Sequence, residues 1–171
     1  MHDHERVAEL LGRTPRGAFD VVVRDATGDP VVVRNAPFLD DGTPMPTRYY
    51  LVGAEIVKAV SRVESVGGVD EVEAELGDEL IATIHRSYEL ERDAAIDPAH
   101  AGPRPSGGVG GTRIGVKCLH AHVAHELATG NDAIGRWTLD RIPTTTPGVP
   151  PGVGIPAHAP ADAASDGSAA S

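Results

Sequence analysis

Large aromatic side chains are scarce. Phe, Trp and Tyr make up 4% of the 171 residues, so the core has to be built from Val, Ile, Leu and Ala. Few flat rings are left for nucleic-acid bases to stack on. Cysteine is almost missing: with Cys118 alone no intramolecular disulfide can form, which fits a reducing compartment. No apolar run approaches the ~18 residues that read as a membrane span. The opening residues Met1-His2-Asp3-His4-Glu5-Arg6 lack the basic-then-apolar order of a secretory signal. These absences lead us to expect a cytoplasmic chain with no membrane partner. Cations are in deficit as well. Fifteen Lys and Arg against 25 Asp and Glu give a net charge of −10, which disfavours non-specific binding to nucleic acid or anionic lipid.

What is present reads as an α+β domain. Val7, Leu10 and Leu11 share one face of a helix over 3–11 that Gly12 stops. The β-branched runs 18–24 and 31–35 flank Thr27-Gly28-Asp29-Pro30, which is turn chemistry, so they predict a hairpin. Tyr49-Tyr50-Leu51-Val52 adds a third strand. Ile56, Val57, Val60 and Val63 predict a helix over 54–65, ended by Gly67 and Gly68. A longer helical stretch over 69–96 is broken at Gly77 and recapped by Asp78. Its apolar stripe is Leu80, Ile81, Ile84 and Tyr88, and Glu89 and Arg92 are assigned to a solvated face. A helix over 116–129 stops at Gly130-Asn131, and a last short element holds Ile134, Trp137, Leu139 and Ile142. The expected architecture is a small antiparallel N-terminal sheet packed with about four helices, forming one domain over 1–142. From Pro143 to Ser171 the chain is rich in Pro, Ala, Ser and Gly, which predicts a disordered tail.

The stretch Val116-Lys117-Cys118-Leu119-His120-Ala121-His122-Val123-Ala124-His125 resembles a bacterial, mainly actinobacterial, family catalogued as domain of unknown function 501. Leu11-Gly12-Arg13 with Pro15-Arg16, Asp41-Gly42-Thr43-Pro44 with Pro46-Thr47, Tyr50-Leu51, Arg62 with Glu64-Ser65, and Gly130-Asn131 follow the same pattern, over about residues 5 to 140. The resemblance implies a cytoplasmic setting near septum-formation and exopolyphosphatase-like genes, and it assigns no reaction. Relatives carry further cysteines near the first hairpin and after the Tyr-Leu pair. This chain has Arg24-Asp25-Ala26-Thr27-Gly28 and Val52-Gly53-Ala54 there, which counts against an essential multi-cysteine cluster.

Two constellations carry chemistry. At 100° per residue a helix over 116–129 puts Cys118, His122 and His125 on one face, and thiolate with imidazole suits zinc. A fourth ligand would come from elsewhere, with His85, His100 and the carboxylates as candidates. The competing account is a polar seam in which the rings bond to carboxylates and Cys118 merely packs. His120, on the apolar side, reads as a buried ring tied to a backbone carbonyl. The second constellation is the loop Gly107 to Lys117. Gly108, Gly110 and Gly111 with Arg113 and Lys117 stand just before a helix N-terminus, where free N–H groups and the helix dipole attract an anion. Arg13, Arg16, Arg62 and Arg86 are candidates to converge there, with scattered surface ion pairs to the acidic residues as the competing account for all four. The competing account is a mobile linker or a tight packing turn.

Three functional readings stay open, with the catalytic residues, if any, unassigned. The leading one is a small binding or regulatory module that recognises an anionic, phosphate-bearing ligand at the Gly107–Lys117 loop. The second is a zinc-binding protein or hydrolase using Cys118, His122 and His125. The third is a protein-interaction module of the division or wall machinery.

Overall fold

The computed structural model describes residues 3–154. The elements are α1 (Asp3–Leu11), β1 (Phe19–Arg24), β2 (Pro30–Asn35), β3 (Tyr49–Leu51), α2 (Ala54–Ser65), α3 (Gly68–Ala94), α4 (Leu119–Thr129) and α5 (Ala133–Leu139). The predicted hairpin forms: β1 and β2 pair antiparallel from Phe19↔Asn35 to Arg24↔Pro30. Its turn is built by Asp25, whose Oδ1 accepts the N–H groups of Thr27 (2.8 Å) and Asp29 (3.0 Å). β3 joins β2 antiparallel, giving the order β1-β2-β3.

The central strand is buried from Pro30 to Val33 and contributes to two clusters. Val33 packs with Val7 of α1 and Val52 in a small cluster, whereas Val31 and Val32 belong to the main core with Ile56, Val60, Ile81, Leu119 and Ile134. The fold is therefore α1, sheet, then a helical layer, and the α+β class holds. α2 ends where the glycine pair predicts. α3 breaks at Gly77, which has φ 75, a conformation that costs glycine little.

Four expectations change in detail. Leu80 is exposed at 40%, so the stripe of α3 is carried by Ile81, Ile84, His85 and Tyr88. Arg92 is not on a solvated face: it is fully buried. Its Nη1 donates to the Gly107 carbonyl at 2.5 Å and its Nη2 to that of Pro105 at 3.2 Å. The last helix but one starts at Leu119, with Cys118 as its N-cap in extended conformation (φ −161, ψ 147). The segment expected to be a tail divides in two. Residues 143–154 form turns, and Val149 and Val153 pack against the main core. Residues 155–171, the rest of that expectation, lie outside the described residues. Among the described residues no helix is long and apolar enough to cross a membrane.

Candidate functional site

The connection between α3 and α4 is held like a clasp. Besides the two Arg92 bonds, the His85 ring bridges it. Val109 N–H donates to His85 Nδ1 at 3.1 Å, so Nε2 carries the proton and donates to the Gly115 carbonyl at 2.8 Å. Burial pushes the His85 pKa down, against the pull of that carbonyl, which agrees with a neutral ring. Val116 N–H donates to Glu73 Oε1 at 2.6 Å. Gly108 lies so close to His85 that any Cβ would fall on the ring's Cβ and Nδ1. These glycines thus serve close packing. The foremost N–H of α4, that of Leu119, already donates to Glu64 Oε1 at 2.5 Å, so a protein carboxylate occupies the position where an anion was expected.

Cys118 does not face His122 and His125. The helical period does not extend to an extended N-cap residue, and the sulfur turns instead toward His120. Cys118, His120 and Glu64 offer a sulfur, a ring nitrogen and a carboxylate oxygen within 4.8 Å of one another. His120 Nδ1 stands 3.2 Å from Glu64 Oε1, and Nε2 stands 3.2 Å from the Val57 carbonyl and 3.1 Å from Ser61 Oγ. The carbonyl contact is the one read from sequence, but the ring is only partly buried; the Cys118 and Glu64 contacts are additional. Burial alone would raise the Cys118 pKa, but hydrogen bonds from His120 and the Ala121 backbone overcome it and lower the value. His120 is raised, first by Cys118, against desolvation and with help from Glu64. Each group thus favours the charged form of the other. Cys118 and His120 open onto a pocket of about 420 Å³, which Gly110, Lys117 and Tyr50 also line.

His122 and His125 meet elsewhere, at a fully buried carboxylate that the sequence reading did not single out. Both Nδ1 atoms donate to Asp132 Oδ2, at 2.8 and 2.9 Å. Asp132 Oδ1 caps α5 by accepting Ile134 N–H and Gly135 N–H, each at 3.0 Å. Burial would raise the Asp132 pKa, yet the two histidine bonds hold it well below the usual carboxylate range. One oxygen thus ties two rings of α4 to the start of α5, the polar seam that the sequence left as the competing account. His122 Nε2 is buried without a partner among the described residues. His100 sits outside both groups, packed at a tilt against Phe38 with ring centroids 4.3 Å apart.

The arginines expected to join the loop separate from it. Arg13 and Arg16 line a different pocket, against α1 and β2, while Arg113 is exposed. Lys117 stays near Gly110, with Nζ 3.3 Å from its carbonyl.

A family model described as "Protein of unknown function (DUF501)" matches residues 21–140. The chain belongs to that family. No curated protein and no solved structure matches the chain. Glu64, Cys118, His120 and the Asp132 seam all lie inside the DUF501 match, whereas Arg13 and Arg16 lie before it. The sequence signal available for the cluster was the Cys118-Leu119-His120 spacing itself. A residue at a helix start and the ring two positions on can turn toward each other only when the first lies outside the helix. Glu64 carries no local signal, because only the packing of α2 against α4 brings it there.

Proposed function

We propose that this DUF501 protein binds a divalent transition ion, zinc by ligand chemistry, at Glu64, Cys118 and His120, with a remaining position turned to the adjoining pocket, where a small anion is taken. The observation that carries the reading is the convergence of one sulfur, one ring nitrogen and one carboxylate oxygen, with Cys118 and His120 at the wall of a pocket. Mixed sulfur, nitrogen and oxygen donors suit zinc, and three protein ligands with an open fourth position is the arrangement of reactive zinc sites. The surroundings support it. His120 turns Nε2 to a backbone carbonyl and Nδ1 to the cluster, which is how ligating histidines are usually oriented, and Glu64 is fixed by the Leu119 N–H. The thiol is already biased toward the thiolate that metal binding requires. A bound ion would act there as a Lewis acid and lower the pKa of a coordinated water. Lys117 at the pocket wall supplies charge for an anion, which preserves part of the loop reading, with Gly110 but without Arg13 and Arg16.

Titrating zinc into the untagged, metal-stripped chain by calorimetry tests this. One equivalent should bind, with Cys118→Ser and His120→Asn each weakening it at least about a hundredfold. Binding should also weaken as pH falls, because protons compete for the sulfur and the ring. Absence of stoichiometric binding, or binding indifferent to both substitutions, contradicts the proposal.

A further inference from the structure

Another pocket, about 400 Å³, lies between α1, the turn that follows it, β2 and the segment 36–46. Its floor is apolar: Val7 and Val33 are buried at 0% and 2%, and Leu11, Phe19, Leu39 and Met45 complete it. Arg13 and Arg16 stand among its lining residues, and no Asp or Glu does, in a chain whose acids outnumber its bases by 25 to 15. Arg13 is exposed and makes no ion pair or side-chain hydrogen bond among the described residues. Arg16 is held only by Asp41 at 3.1 Å, and the two side chains are 67% and 55% exposed, a pairing that solvent screens heavily and that a ligand can displace. The walls are tied together without one. Asp40 N–H donates to the Arg16 carbonyl and Ala36 N–H to that of Ala18, each at 2.9 Å. Phe38 and Pro44 pair as an isolated antiparallel bridge. Gly17 is required for this approach, since a Cβ there would come within 3.1 Å of Leu39 Cα.

A pre-formed apolar floor under two guanidinium groups, with only the exposed Arg16–Asp41 pair to displace, is complementary to one kind of molecule. We propose that this pocket binds an amphipathic anion: a carboxylate or phosphate head paired by Arg13 and Arg16, and a short apolar chain laid on Val7, Val33 and Met45. Guanidinium suits either head, because its forked donors match both anions. The apolar body is what separates this ligand from a free inorganic ion, which the floor would not hold. The proposal does not rest on the metal site, although Tyr50 lines both pockets.

Calorimetry on the full chain, with probes kept below their micelle concentrations, tests it. Octanoate and octyl phosphate are the two head-group arms, and whichever binds more tightly names the source. Octanol, acetate and inorganic phosphate are the controls. At least one octyl anion should bind, octanol should bind at least tenfold more weakly, and the tail-less anions should give no heat. Going from hexanoate to octanoate should tighten binding roughly fifteenfold, at about 0.8 kcal/mol per buried methylene. Both arginines are exposed, so Arg13→Ala with Arg16→Ala should leave folding intact. The pair should cost the octyl anion at least about tenfold and leave octanol unchanged. Equal affinity for octanol and octanoate, indifference to the arginine substitutions, or binding only to anionic lipid vesicles and not to the monomeric probes would each overturn the proposal.

Discussion

Replacing Asp132 with Ala should be among the most damaging single changes in this fold. The carboxylate accepts four hydrogen bonds, two from backbone N–H groups at the start of α5 and two from the rings of His122 and His125. Loss of a helix N-cap costs about 1 kcal/mol. Each ring N–H left buried without an acceptor costs about 1–3 kcal/mol. These terms share one residue and do not add fully, so the expected loss is about 3–5 kcal/mol, as for breaking a buried charged pair from one side. Asp132→Asn separates the contributions. Its Oδ1 can still cap α5, but its amide NH₂ faces two ring N–H groups, and either ring is satisfied only by changing tautomer, so about half the loss should remain. Urea unfolding at neutral pH measures both, and for a chain of this size each kcal/mol corresponds to roughly 2–4 °C in Tm. Because the folded pKa of Asp132 is depressed, its contribution is present above the unfolded value near 3.9 and is lost as pH falls from there through the folded value. Wild type should therefore lose stability below about pH 4 more steeply than Asp132→Asn does. A loss under about 1 kcal/mol for Asp132→Ala at neutral pH would refute this account of the seam.

Arg92→Met leaves the Gly107 and Pro105 carbonyls without their buried donor. It should cost about 2–4 kcal/mol and open the clasp to trypsin at Arg113 and Lys117; unchanged proteolysis would show that other bonds hold it. Cys118 should alkylate with iodoacetamide at a lower pH than a free thiol does, because His120 stabilises the thiolate. His120→Asn should move the pH profile upward, and an unmoved profile would remove His120 from that role. Truncation after Ile142 should lower Tm, because Val149 and Val153 pack on the core; an unchanged Tm would show that this segment contributes nothing.

Much of the fold was legible because local chemistry and tertiary structure agree. The hairpin announced itself through β-branched runs around Thr27-Gly28-Asp29-Pro30, α2 through its apolar period and glycine stop, and the kink at Gly77 through a residue that helices accommodate poorly. What was not legible depended on contacts between distant segments. Arg92 looked like surface charge because an i, i+3 partner was in view; besides its neighbours Asp93 and Glu89, it donates to carbonyls of a loop that only the folded chain brings near. The histidines were correctly grouped as His122 with His125, since i, i+3 positions share a face, but nothing local marked Asp132 as their common acceptor. Cys118 was misplaced by carrying the helical period three residues too far. Placing the helix start at Leu119 moves the sulfur from the His122 side to His120, and Glu64 then follows from the packing of α2.

X-ray absorption on the stoichiometric zinc protein tests the central claim most directly. The account predicts one sulfur near 2.3 Å and two or three nitrogen or oxygen neighbours near 2.0–2.2 Å, with the sulfur shell absent in Cys118→Ser. A first shell of nitrogen and oxygen alone in the native protein would contradict it.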